Sequence, residues 1–351
     1  MSRFLSDRLQ SLEAYVPGEQ PRIDDLIKLN TNESPFPPAP GVTEAVKGAA
    51  AKLQLYNDLK SEKLVRLLAD TYGVQENQVA VSNGSDEMLA FAFQAFGGGG
   101  LAFPDITYGF YPVFAQINQI PYTEIPLRED FTLDPEDYKG IGKTIFIANP
   151  NAPTGIALSP GDIEKIAAGN PDNVVVIDEA YVDFGAQSCV PLIHKYPNLL
   201  VTQTFSKSRS MAGARLGMGI GSAELIRDLN AVKYSVNPYN VNSMTMAAGI
   251  GALRDEEYFA SNCRTIIENR TYTVEKLKEL GFKVTDSSAN FIFVTHPGIS
   301  GYDLYVKLKS RGVLIRYLSK ERIKEYSRIT IGTKDQMDIL LDNIRDILNE
   351  K

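Results

Sequence analysis

Val174-Val-Val-Ile-Asp178-Glu179-Ala180-Tyr181 carries the reading of the fold. Four β-branched residues in a row, with no polar alternation, describe a strand buried on both faces, the habit of a parallel sheet covered by helices. The same pattern repeats on either side. Val79-Ala-Val-Ser82 reads as a strand followed by a helix over 86–96, and Thr144-Ile-Phe-Ile-Ala148 as a strand followed by a helix near 160–168. Leu199-Leu-Val-Thr202 is a further buried strand. This order predicts an α/β domain with a mostly parallel sheet between helices.

The last third changes character. Residues 256–280 read as one long helix with Gly281 as its stop. Three strand candidates follow, Phe291-Ile-Phe-Val294, Val313-Leu-Ile-Arg316 and Arg328-Ile-Thr-Ile331, then a helix with Met337, Leu340, Leu341, Ile344 and Leu348 on one face. This describes a smaller α+β domain. The segment up to about Asn30 is too short to fold alone and is expected to pack on it. The expected division is therefore 29–244 for the large domain, and 1–28 with 245–351 for the small one.

Composition sets the outer limits. The 351 residues can bury two cores, and 44% hydrophobic with 23% charged residues is ordinary for a globular chain. A formal net charge of −7 offers nucleic acid no electrostatic footprint. No apolar run reaches the roughly 18 residues of a membrane span. Residues 1–10 lack the apolar stretch of a signal peptide. Cys189 and Cys263 are the only cysteines, so disulfides are not expected and a reducing cytoplasm fits. The only histidines, His194 and His296, have neither metal-ligand spacing nor a neighbouring nucleophile motif, and both read as surface or loop residues. No metal site is expected.

Ligands of open α/β sheets bind beyond the carboxyl ends of the strands, and four such ends carry polar residues. A carboxylate at Asp178, ending a buried strand, is costly to desolvate unless a cation, such as a protonated ring nitrogen, faces it; an acid there could equally cap the next helix. Thr204-Phe205-Ser206-Lys207 brings a lysine that can act as a carbonyl-trapping amine, a serine and, eight residues on, Arg215, a bidentate anion clamp. Lys207 could instead be a solvated loop residue. Ser82-Asn83-Gly84-Ser85-Asp86-Glu87 joins a strand to a helix; glycine lets backbone amides approach an anion at the helix start, though Ser85 or Asp86 would cap any helix. Asn149-Pro-Asn-Ala-Pro-Thr-Gly155 is a stiff loop with amide side chains, or simply a rigid turn. Rival phosphate motifs fail: Asp137 stands where a P-loop ending at Gly142-Lys143-Thr144 needs its first glycine, and Ser222 breaks a dinucleotide reading of Gly217-Met-Gly-Ile-Gly221.

In this order, the motifs resemble the fold-type I pyridoxal-5′-phosphate (PLP) aminotransferases, and among them the histidinol-phosphate aminotransferases. The resemblance runs along nearly the whole chain: Tyr15-Val-Pro-Gly18, Leu29-Asn-Thr-Asn-Glu33, Tyr56-Asn-Asp58, Asn83-Gly-Ser-Asp-Glu87, Thr107-Tyr108-Gly109, Asp178-Glu-Ala-Tyr181, Ser206-Lys207 with Arg215, Pro238-Tyr-Asn-Val241, Ser288-Ala-Asn-Phe291, Gly312-Val-Leu-Ile-Arg316 and Arg328-Ile-Thr-Ile-Gly-Thr333. It implies Lys207 as the Schiff-base lysine and proton-transfer base, Asp178 as partner of the pyridinium nitrogen, Tyr181 on the ring hydroxyl and Tyr108 stacked on the ring. Gly84, Ser85, Asp86, Ser206 and Arg215 would form the phosphate cup. Tyr56 would reach the cofactor phosphate of a second copy, implying a homodimer. Tyr15, Asn30, Arg316 and Arg328 would line the substrate side.

Two positions depart from the family pattern. Ala152 stands where an asparagine commonly bonds the ring hydroxyl, and Asn151 is expected to substitute. Ala214 precedes the arginine where leucine is usual, which reads as packing only. The implied reaction is transamination between histidinol phosphate and 2-oxoglutarate. The rivals are an aromatic aminotransferase or a threonine-phosphate decarboxylase on the same scaffold. A PLP-free binding protein is a further class, and the intact anchor set argues against it.

Overall fold

Strand Val175–Asp178 lies in the middle of a seven-stranded sheet in the computed structural model, which describes residues 2–10, 12–15, 17–21 and 25–350. Val16 of the Tyr15–Gly18 motif lies outside the described residues. In chain order the strands are β1 (Val79–Ser82), β2 (Leu101–Pro104), β3 (Tyr122–Ile125), β4 (Thr144–Ala148), β5 (Val175–Asp178), β6 (Leu199–Thr204) and β7 (Gly217–Gly221). Their spatial order is β1-β7-β6-β5-β4-β2-β3. All neighbours run parallel except β7, which is antiparallel to both β1 and β6.

The unbroken apolar runs are explained by burial on both faces. Ile145, Ile147, Val175, Ile177, Leu199 and Val201 pack into one core, while Phe146, Val176 and Leu200 point the other way, into a core with Phe91, Phe93, Phe103 and Tyr111. Each such side chain contributes roughly 1.5–3 kcal/mol on burial. β7 is rich in glycine because helix Ser85–Phe96 lies against it: a Cβ on Gly217 would come within 2.3 Å of the Ser85 nitrogen.

Beyond the sheet, β8 (Lys283–Val284), β9 (Phe291–Thr295), β10 (Arg316–Tyr317) and β11 (Ser327–Thr330) form an antiparallel sheet in the order β10-β11-β9-β8. Helices Glu256–Glu279 and Lys334–Asn349 bury Ile266, Leu277, Leu340 and Ile344 in a core with Phe291, Ile292 and Ile329. The expected single strand over 313–316 is divided. Val313–Leu314 pairs in parallel with Ile27–Lys28, and the chain then changes sheet so that Arg316–Tyr317 pairs with β11. Helix Ser243–Leu253 packs Met246, Ala248, Ala252 and Leu253 into the same core as Val42 and Leu64, so the larger core runs past residue 244.

The N-terminal segment touches both parts. Glu19 pairs with Lys309 and accepts from Tyr305, and Arg316 Nη1 donates to the Pro17 carbonyl at 3.2 Å. Tyr15 instead stacks on Phe110 of the large part, with ring centroids 4.1 Å apart. Among the described residues no helix is long and apolar enough to cross a membrane.

Candidate active site

Parallel pairing sets Asp178 level with Ala148 on one side and Thr202 on the other, at the carboxyl end of the sheet. A cavity of about 610 Å³ opens there. Asp178 and Glu179 are both buried and both pushed up to about 7, chiefly by desolvation. Their surroundings differ. Glu179 faces away from the cavity and accepts from Ser188 Oγ at 2.7 Å, Gln203 Nε2 at 2.8 Å and the Cys189 amide at 2.5 Å. Asp178 lines the cavity, with two long hydroxyl bonds, from Thr202 Oγ1 at 3.3 Å and Tyr111 Oη at 3.4 Å, and the Ala180 amide as its backbone donor. No basic side chain among the described residues pairs with it. A buried acid on a cavity wall, with long hydroxyl bonds and no cation, suits a cationic ligand atom.

An anion cradle lies at another part of the wall. Gly84, at φ 83°, precedes helix Ser85–Phe96, whose first N–H groups have no intrahelical acceptor. A Cβ on Gly84 would fall 2.4 Å from Arg215 Nη2, so only glycine lets the guanidinium close over the helix start. Arg215 Nη1 donates to Ser206 Oγ at 3.4 Å and Nη2 to Asp86 Oδ2 at 3.2 Å, while Tyr108 Oη donates to Asp86 Oδ1 at 2.7 Å. Burial, then the Asp86 charge, pushes the Tyr108 hydroxyl well up, which keeps it protonated as that donor. The arginine, the hydroxyl of Ser206 and the helix amides together offer the donors a phosphate needs.

Lys207 Nζ reaches the cavity from the turn after β6, donates to the Thr31 carbonyl at 3.2 Å and lies 5.7 Å from the Tyr181 ring centroid. Arg328, which also lines the cavity, is half-buried and has no carboxylate partner among the described residues. Its Nη2 donates to the Asn30 carbonyl at 2.9 Å, and its Nε has no acceptor. Burial lowers its pKa from the ordinary value, a cost that a bound anion would relieve. Tyr15, Asn30 and Arg316 line the same cavity.

Of the expected residues, Gly84 stands behind the cradle rather than on the wall, and two side chains are not brought there. Asn151, expected to replace the missing asparagine, is not among the residues of the cavity wall: its Nδ2 donates to Ile106 O (3.1 Å) and Thr154 Oγ1 (3.0 Å) of its own surroundings. Tyr56 is 84% exposed, stacked on Tyr239 at 4.6 Å, and is also absent from the wall within this chain. Conversely, Tyr111 and Asn32 were not anticipated as site residues. Asn32 stands in the quoted Leu29–Glu33 motif, and an asparagine among apolar and turn residues was the available signal.

Comparison with known proteins decides the family. A family model described as Aminotransferase class I and II matches residues 24–344. The chain belongs to this family. Over 352 residues it is 48% identical to the histidinol-phosphate aminotransferase of Brachyspira hyodysenteriae, covering 99% of each chain. It is also 48% identical to the enzyme of that name from Acinetobacter baumannii, covering 99% of this chain and 98% of that one. Among solved structures, the histidinol-phosphate aminotransferase of Sinorhizobium meliloti in complex with pyridoxal-5′-phosphate superposes with a TM-score of 0.88 at 22% identity, covering 99% of this aminotransferase and 98% of that chain.

Proposed function

We propose that this aminotransferase is PLP-dependent and moves the amino group of histidinol phosphate to 2-oxoglutarate, giving imidazole acetol phosphate and glutamate. One observation carries the reading: a single cavity is lined by a lysine without an ion pair, a buried acid without a cation, an anion cradle and a half-buried arginine without an anion, among the described residues. The full-length likeness to enzymes of that name favours it over an aromatic aminotransferase or a threonine-phosphate decarboxylase.

The residues fit PLP. Lys207 would hold it covalently, Ser85, Asp86, Ser206 and Arg215 its phosphate, Asp178 its ring nitrogen, Tyr181 its ring hydroxyl, and Tyr108 would stack on the ring. When bound, the cofactor supplies an electron sink for the bond broken at the substrate α-carbon. The protein does the rest. Lys207 Nζ takes the proton from that carbon and returns it one position along, Asp178 keeps the ring nitrogen protonated, and the arginines orient the substrate's anions. Tyr15 lines the cavity, stacked on Phe110. A steady-state assay tests the choice of substrate. The highest kcat/KM is expected for histidinol phosphate; a higher value for phenylalanine, or CO2 release from threonine phosphate, would replace the reading.

Histidinol phosphate and glutamate differ in their anions, yet both must be held by one site, and guanidinium groups suit phosphate and carboxylate alike. Arg328→Ala should raise KM for both substrates and lower kcat/KM by ~1.5–3 kcal/mol, the scale of a charge-assisted hydrogen bond, with the cofactor absorbance unchanged. Equal kcat/KM in wild type and variant would exclude the anion-binding role.

The working form is a homodimer in which Tyr56 reaches the partner's cofactor phosphate. Support comes from the exposed apolar surface around it: Leu53, Leu55, Tyr56 and Leu59 are all exposed, beside Tyr239. Mixing Tyr56→Phe with Lys207→Ala subunits gives heterodimers in which one site is intact and the other lacks both groups. Activity should rise on mixing, and a monomer by sedimentation would exclude the arrangement. The proposed division is residues 29–244 for the large domain and 1–28 with 245–351 for the small one, with helix Ser243–Leu253 packing its apolar residues into the larger core. The enzyme works in the cytoplasm, where Cys189 and Cys263 remain thiols.

A further inference from the structure

Ala152 removes a direct donor from the side of the cavity where Tyr181 stands, and Asn151 turns away. The donor that is present comes from a different part of the chain. Asn32 is 1% exposed and lines the cavity, and its Nδ2 donates to Tyr181 Oη at 3.1 Å. We infer that Asn32 is the positioning residue for the cofactor's ring hydroxyl, acting through Tyr181: its amide occupies the tyrosine oxygen and turns the tyrosine proton toward the ring. This inference rests on the proposed placement of the ring against Tyr181.

The geometry gives Asn32 little freedom. Its φ of 56° is left-handed, a conformation asparagine adopts more readily than most residues. Its N–H donates to Thr330 Oγ1 at 3.0 Å, and Thr330 Oγ1 donates back to Asn32 Oδ1 at 3.1 Å. That second bond sets the amide orientation and leaves Nδ2 facing Tyr181. Asn290 Nδ2 donates to the Asn32 carbonyl at 3.0 Å. A phenol has one proton to donate. Tyr181 Oη accepts from Asn32, and no acceptor among the described residues takes its proton, so that proton is available to a ligand oxygen in the cavity. Thr330 lies on β11, the strand that carries Arg328, and Arg328 itself holds the Asn30 carbonyl. One strand therefore fixes both the proposed substrate anion site and the donor behind Tyr181.

The test reads the cofactor's visible absorbance against pH in the holoenzyme. A donor on the ring oxygen competes with the proton that this oxygen shares with the Lys207 nitrogen. Losing the donor leaves that proton held more tightly, so the titration midpoint rises. Tyr181→Phe should raise it. Asn32→Gly, which accepts the left-handed φ, should raise it by roughly half to one pH unit, the size of one neutral hydrogen bond. Asn32→Asp keeps the shape but accepts the tyrosine proton and should raise the midpoint at least as far. Adding Asn32→Gly to Tyr181→Phe should produce no further shift, and Asn151→Ala should leave the midpoint in place. If Tyr181→Phe shifts the midpoint while both Asn32 variants stay at the wild-type value, the role of Asn32 is wrong and the ring placement stands. A flat response to Tyr181→Phe overturns both.

Discussion

Lys207→Ala should bind PLP through the anion cradle yet lose turnover by roughly 10⁴-fold or more, because one amine supplies both the covalent link and the proton transfer. The residue is set apart by its surroundings. Lys320 also lines the cavity, but its Nζ reaches the Asp105 carbonyl and lies 3.6 Å from Glu124, and Lys28 is paired with Glu33. Lys207 Nζ has only the Thr31 carbonyl, 3.2 Å away, and makes no ion pair among the described residues. A lysine amine that faces a cavity without a carboxylate partner is placed to attack a carbonyl carbon. Borohydride reduction of the wild-type holoenzyme followed by peptide mass spectrometry should place the pyridoxyl group on Lys207. In the variant, reduction should label no lysine while equilibrium dialysis still shows bound cofactor. A pyridoxyl group on Lys320, or on any other lysine of the wild type, would reassign the site.

The parts of this molecule that can be read from sequence are those where one local pattern has one cause. β5 is a run of β-branched residues because both its faces are buried, and Asp178 is conspicuous because it ends that run. β3 escaped notice for the opposite reason: Tyr122-Thr-Glu-Ile125 lies at the sheet edge, half exposed, and its short alternation resembles a loop. β2 is brief, ends in Pro104 and follows a glycine run, so it carries no helix or strand period of its own. The division of 313–316 between two sheets is a tertiary choice, since Val313–Leu314 finds its partner in Ile27–Lys28 and Arg316–Tyr317 in β11. Asn32 shows the limit most plainly. Its partners are Thr330, Asn290 and Tyr181, separated from it by 298, 258 and 149 positions, and no window of sequence contains that arrangement. Asn151, by contrast, is singled out by the family pattern around Ala152, and its Nδ2 is held by Ile106 O and Thr154 Oγ1.

Asp178→Ala should lower kcat by at least ~10²-fold, by analogy with the loss of other buried electrostatic stabilisers, and should also alter the stability of the cofactor-free chain in a direction set by the carboxyl's titration. Burial first, and the Asp86 charge second, raise Asp178 from 3.8 to about 7 in the folded protein. The folded chain therefore holds this proton more tightly than the unfolded one. Its contribution is fully present below about pH 4 and declines as pH rises through about 7, where the carboxylate must be buried as an anion. At pH 8 the cofactor-free wild type should bear a cost on the order of a few kcal/mol that Asp178→Ala does not, offset in part by the cavity that alanine leaves. Glu179 titrates in the same range with the same sign, but it is present in both proteins, so the difference between their stability curves isolates Asp178. Denaturant unfolding of both apoproteins between pH 5 and pH 8 should give a steeper fall for the wild type. Saturating PLP should flatten the wild-type curve, because a cationic ring nitrogen removes the reason for the carboxylate to protonate, and should leave the variant's slope nearly as it was. Parallel curves for the two apoproteins, or a wild-type slope that PLP does not change, would mean that Asp178 is not the group facing the ring nitrogen.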